Sequence, residues 1–159
     1  MTNNFRVAAF LIAIVSAATL AGAWFFQLVV GLSPCPLCLD QRIPYYVAVP
    51  LAIVVALVAG KKPIARAGFL ALALVLAIGC GLAVYHAGIE WKFWPGPQDC
   101  SGAVVQLNSG SLLDQMNRTR VIRCDEAAWR LFGISLAGYN ALIAAALTLF
   151  ALRMGTRSK

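Results

Sequence analysis

Five cysteines set the chemistry open to this 159-residue chain: Cys35, Cys38, Cys80, Cys100 and Cys124. Two of them form a C-x-x-C pair inside "SPCPLCLDQR", Ser33 to Arg42. Such a pair serves either as half of a metal clip or as a redox couple. As a staple it is poor, because it closes a very short loop and restrains little of the unfolded chain. Zinc asks for a second closely spaced pair, whereas Cys100 and Cys124 have 23 residues between them. No metal is expected. Pro36 suits the first turn of a helix, where its missing N–H costs nothing. A helix starting there puts Cys35 near the N-cap and Cys38 near the third position. Unpaired N–H groups and the positive dipole end favour a thiolate at such a place. Arg42 follows Cys38 by four residues, one turn along the same face, and carries a permanent positive charge.

The elements that position these residues are membrane spans. The chain is 61% hydrophobic and 12% charged, about half the charge of an ordinary soluble domain, which runs near ~25%. Val7 to Leu32, Ile43 to Gly60, Ala67 to Tyr85 and Leu131 to Leu152 contain no Asp, Glu, Lys or Arg. Runs of roughly 18 or more apolar residues cross a hydrocarbon core about 30 Å thick. One integral membrane domain over 1–159 is expected, with spans at about 8–30, 43–60, 67–85 and 131–152 and outer loops at 31–42 and 86–130. "AGA", Ala21 to Ala23, has the look of a signal-peptidase site. The apolar run continues to Leu32, too long for a signal core, so the first span is expected to be retained.

Charge sets the orientation. Arg6, Lys61, Lys62, Arg66, Arg153, Arg157 and Lys159 all fall on one side, with no acid among them. The other side carries Asp40 and Arg42, then five acids and five bases between His86 and Arg130. Lys and Arg favour cytoplasmic loops, so both termini are expected in the cytoplasm and the two cysteine loops outside. The net charge of +7 is thereby a topology signal rather than a nucleic-acid footprint. Outward cysteines meet an oxidising compartment. The simplest pairing is Cys35–Cys38 with Cys100–Cys124, although four cysteines allow three connectivities. Cys80, in mid-span, reads as a small hydrophobe.

Three smaller expectations follow along the chain. Trp91, Phe93 and Trp94 read as interfacial anchors. Gly79 and Gly81 offer close helix contact, and Asn140 an interhelical hydrogen bond. Gly110 to Met116 offers a short surface helix. A thiol pair at a membrane surface also needs somewhere to send two electrons. The sequence has no haem-attachment C-x-x-C-H, no Rossmann glycine motif and no iron–sulfur cysteine spacing. A lipid-soluble quinone is the acceptor class left by exclusion.

Four spans, "PCPLCLDQR" at the head of the second, "YHAGIE" (Tyr85 to Glu90) closing the third and "WPGPQDC" leading to Cys100 together resemble the DsbB family over essentially the whole chain. That family comprises quinone-reducing disulfide oxidases of bacterial inner membranes. The resemblance implies an all-α, four-transmembrane-helix bundle with two periplasmic cysteine loops. It implies a DsbA-like periplasmic thioredoxin-fold partner and ubiquinone or menaquinone as electron acceptor from the membrane pool. By the same resemblance, the partner thiol attacks the Cys100–Cys124 disulfide at Cys100. Cys124 then engages Cys35, and Cys38 is left as the thiolate facing the quinone. Arg42 stabilises that thiolate and polarises a quinone oxygen, and His86 lies near the quinone or fills an interfacial position. Gln41 departs from members with an acid before the arginine, which puts a carboxylate role there in doubt. Two rivals have their own signatures. A disulfide-stapled accessory protein would not cycle. A vitamin-K-epoxide-reductase-like protein would carry its C-x-x-C late in the chain, not at the head of the second span.

Overall fold

A computed structural model describes residues 2–97 and 123–156. Cys100 and the expected surface helix at Gly110 to Met116 lie outside the described residues. The elements run α1 (Thr2–Leu28), α2 (Pro36–Asp40), α3 (Ile43–Leu57), α4 (Lys62–Glu90), β1 (Arg130–Leu131), β2 (Ile134–Ser135) and α5 (Leu136–Thr156). Among the described residues, four stretches are long and apolar enough to cross a membrane: Asn3–Leu28, Pro36–Leu57, Lys62–Glu90 and Leu136–Thr156. The protein is an all-α, four-span membrane protein, and its described residues include one minimal β-hairpin.

All four long segments start or end away from the places the apolar runs mark, and in three of them the difference has a clear local cause. The second span begins at Pro36 and bends between α2 and α3. Pro44 has no N–H to give back to the turn before it, and Gln41 and Arg42 fill the joint. The third helix continues past Tyr85 to Glu90, so His86 belongs to the helix and not to the outer loop. Nothing in "YHAGIE" breaks a helix. It stops one residue later in a Schellman arrangement, with Phe93 N–H on the Gly88 carbonyl (2.9 Å) and Lys92 N–H on Ile89 (3.0 Å). Lys92 takes the left-handed conformation, φ 63°. The fourth helix begins at Leu136 rather than 131 because Arg130 to Ser135 form the hairpin, turning through Phe132 and Gly133 at positive φ.

Alanine lets the bundle close. Ala8, Ala9 and Ile12 of α1 meet Ala48, Ala52 and Val55 of α3, with Phe69, Leu72 and Leu76 of α4 and Ala151 of α5 in one buried cluster. Small side chains bring helix backbones together where lipid supplies no hydrophobic drive. The outer faces are the reverse of a soluble surface: Ile14, Leu57, Leu74 and Leu149 are all exposed, as a lipid-facing belt requires. Gly79 lies close against Pro44, whereas Gly81 faces open space, so the close contact is made by the first of the two glycines.

Candidate redox site

The C-x-x-C sits where its sequence places it. Cys35 caps α2 with extended backbone, φ −76° and ψ 165°, and Pro36 opens the helix. The Cys38 backbone N–H donates to Cys35 Sγ at 3.2 Å. The Cys35 and Cys38 sulfurs lie 2.7 Å apart. Cys35 is buried and Cys38 half-buried. The hydrogen bond with Cys38, and then burial, push the Cys35 thiol far above its ordinary range.

Cys124 comes to the same place from far along the chain. It is disulfide-bonded, and its expected partner Cys100 lies outside the described residues. The Cys35 and Cys124 sulfurs and a ring nitrogen of His86 all lie within 4.8 Å of one another, and all three residues are buried. These are metal-ligating types, but a sulfur committed to a disulfide offers no thiolate to a cation. Leu37 and Ile89 pack around the two cysteines. The segment carrying Cys124 is held by polar ties at its rim. Lys92 Nζ donates to the Asp125 carbonyl (2.9 Å) and carboxylate (2.7 Å), and Arg123 reaches the same carboxylate. Arg123 and Lys92 hold the Asp125 carboxyl well below the usual range. The Trp129 ring lies 5.2 Å from Phe26 of α1.

Arg42 is buried at the joint of α2 and α3. Its guanidinium donates to Gln27 Oε1 at 2.8 Å and lies 5.3 Å from the centre of the Trp24 ring. Its charge and that of Glu90 both act on Cys38. Gln27 stands alone as an amide late in an otherwise apolar span, and a lone polar residue in a span is the signal that would have marked it. Beyond Arg42 opens a cavity of about 670 Å³ between α1, α3 and α5, lined by Cys38, Arg42, His86 and apolar residues such as Ile14, Phe26 and Ile143.

His86, on α4, faces Cys35 with Nε2 at 3.8 Å and Gln41 with Nδ1 at 2.6 Å. Glu90, one turn on, places Oε1 3.9 Å from the same Nε2. Its other oxygen accepts a hydrogen bond from Ser135, whose oxygen in turn accepts from the Gly138 N–H at 3.2 Å. Ser135 is therefore the N-cap of α5 and ties it to α4. Asn140 makes the interhelical bonds expected of it: Tyr45 OH donates to its Oδ1 (2.6 Å), and its Nδ2 donates to Gln41 Oε1 (2.7 Å). Cys80 donates weakly to the Ala141 carbonyl at 3.7 Å, consistent with a packing role. Trp94 lies flat on Tyr85, ring centroids 6.1 Å apart, in space that a side chain at residue 88 would fill.

Four apolar helices, a C-x-x-C pair at the head of one and a disulfide-bonded cysteine brought against it define a multi-pass membrane protein built for thiol–disulfide chemistry. The chain matches the family described as "Disulfide bond formation protein DsbB" over residues 5–154. It is 29% identical to Disulfide bond formation protein B of Xylella fastidiosa, over 88% of this chain and 83% of that one. It is 30% identical to the protein of that name in Verminephrobacter eiseniae, over 92% and 84%, and in Marinobacter nauticus, over 83% and 80%. The chain belongs to the DsbB family and is a disulfide oxidoreductase of the membrane.

Proposed function

We propose that the protein reoxidises a DsbA-like periplasmic thiol oxidase and delivers two electrons to ubiquinone or menaquinone. It would do so in the bacterial inner membrane, with both termini cytoplasmic and the cysteine loops in the periplasm. The observation that carries this reading is the convergence of three sulfurs: Cys38 against Cys35 at 2.7 Å, and Cys124 within 4.8 Å of Cys35. A third sulfur within reach of the Cys35–Cys38 pair is what exchange requires, since a thiolate must approach a disulfide sulfur directly.

The route is Cys100 as the sulfur attacked by the partner thiolate, Cys124 as its leaving sulfur, and Cys35 of an oxidised Cys35–Cys38 pair as the sulfur Cys124 attacks, so that the Cys35–Cys124 bond forms as the Cys35–Cys38 bond breaks. Cys38 is then released as the thiolate beside Arg42. A quinone fits the cavity by chemistry: apolar walls for the ring and tail, with the Arg42 guanidinium as a fixed hydrogen-bond donor at the Cys38 end. Cys38, Arg42 and His86 would hold it there. When bound it supplies a two-electron, two-proton sink. Arg42 balances the Cys38 charge, and the buried site keeps water from the thiolate.

Purified protein given a reduced DsbA-like partner and a soluble ubiquinone analogue should bleach the quinone absorbance with turnover. Cys35→Ser, Cys38→Ser, Cys100→Ser and Cys124→Ser should each abolish that turnover. Full activity in any of the four would sink the relay.

A further inference from the structure

A chain of side-chain hydrogen bonds with a fixed direction ends on His86. Tyr45 OH donates to Asn140 Oδ1 at 2.6 Å, leaving the Asn140 amide to donate to Gln41 Oε1 at 2.7 Å. Gln41 therefore turns its NH₂ toward His86, and Nε2 of Gln41 meets Nδ1 of the ring at 2.6 Å. An amide NH₂ only donates, so with Asn140 and Gln41 oriented in this way Nδ1 accepts and the ring proton sits on Nε2. The surroundings of Nε2 agree. Cys35 Sγ at 3.8 Å and Glu90 Oε1 at 3.9 Å both face it, and each can accept. Gln41, His86 and Glu90 are all buried.

We propose that Gln41, oriented by Asn140 and Tyr45, is a positioning residue that fixes neutral His86 as its Nε2–H tautomer and directs that hydrogen at the Cys35 sulfur. The inference rests on the cysteine relay proposed above and gives His86 a place in it. The ring acts as a hydrogen-bond donor to sulfur and not as a proton acceptor, because Gln41 occupies Nδ1. Its moment comes when Cys35 is the leaving group. As the Cys100 thiolate attacks Cys124 of a Cys35–Cys124 mixed disulfide, the Cys100–Cys124 bond forms and the Cys35–Cys124 bond breaks. The electron pair departs on Cys35 Sγ, and the exchange is redox-neutral. The Nε2–H bond stabilises that thiolate while the proton stays on the ring. A better stabilised leaving thiolate leaves faster.

His86 is the single histidine of the chain, so protein labelled with ¹⁵N-histidine reports this ring alone. In the full-length protein, in detergent with its cysteines reduced, the nitrogen spectrum should show a neutral ring protonated at Nε2. Gln41→Glu places an acceptor at Nδ1 and should move the proton there. Gln41→Leu should give a mixture of tautomers and slow the release of Cys35 in thiol exchange about tenfold. Tyr45→Phe removes a hydroxyl with little change of shape, and should weaken the tautomer preference even if the Gln41 variants fold poorly. A ring protonated at Nδ1 in the unsubstituted protein, or a spectrum indifferent to both Gln41→Leu and Tyr45→Phe, would overturn the proposal. The spectrum needs neither quinone nor partner. A failed relay with the expected tautomer is therefore distinguishable from a failed tautomer with a working relay.

Discussion

Arg42 and Cys35 show how one residue's setting fixes its behaviour. Arg42 reaches Gln27 and Trp24 while its charge acts on Cys38, so under the proposed quinone chemistry its removal takes away a hydrogen-bond donor to a quinone oxygen. Hydrogen bonds to charged groups contribute about 1.5–3 kcal/mol. At about 1.4 kcal/mol per tenfold, Arg42→Ala should raise the apparent quinone KM roughly ten- to a hundredfold in steady-state assays. Cys35 gives a pH test. Its hydrogen bond with Cys38, followed by burial, raises its titration point, so less of it is thiolate at any given pH than for a free thiol near ~8.5. In the dithiol protein, alkylation of Cys35 should stay slow up to pH 9 by mass spectrometry. Cys38→Ala removes the leading cause and should bring its onset to lower pH. The cysteines and Arg42 were legible from type and spacing because a helix N-terminus is a local object. Gln27 and Glu90 carried a weaker signal, being polar groups in apolar surroundings whose partners lie on other helices.

At the scale of elements, the site depends on how α4 and α5 are joined. Ser135 caps α5 and bonds Glu90 of α4 with the same hydroxyl. Losing an N-cap hydroxyl costs about 1 kcal/mol, and stranding a buried polar partner costs about 1–3 kcal/mol more. Ser135→Ala should therefore lower stability by about 2–4 kcal/mol, read as an earlier unfolding midpoint in a denaturing-detergent titration. Ser135→Thr should retain most of it. The apolar runs marked all four long helices, yet their ends shifted. α4 gains the turn that carries His86 and Glu90, and α5 loses one to the hairpin. Hydropathy finds the part of a helix that meets lipid. It does not find the part that continues into the headgroup layer, where capping bonds such as Phe93 to Gly88 decide the end.

For the whole molecule, the distribution of charge predicts an orientation that labelling can test. Lys61 and Lys62 lie at the turn before α4, opposite the end that holds Arg123 and Glu126. Single cysteines introduced at Lys61 and at Glu126, in a background with the native cysteines replaced, should label from opposite faces of intact membranes. An impermeant maleimide should reach Glu126→Cys from the periplasm and Lys61→Cys only after the membrane is opened. Labelling of both from the same face would refute the four-span topology, and the reverse order would refute the orientation.

The sequence by itself determined the spans, the expected sidedness and the placement of Cys35, Cys38 and Arg42 at a helix head. Each is a property of adjacent residues: hydropathy, charge and helical offset. Only the tertiary structure decided that Cys124 arrives beside Cys35 and that His86, Gln41, Asn140 and Tyr45 form one directed chain. Those bonds join residues 45, 99 and 95 positions apart. Which polar groups meet inside a bundle depends on the rotation and vertical register of whole helices. Those are set by many alanine and glycine contacts at once, and no single motif encodes them.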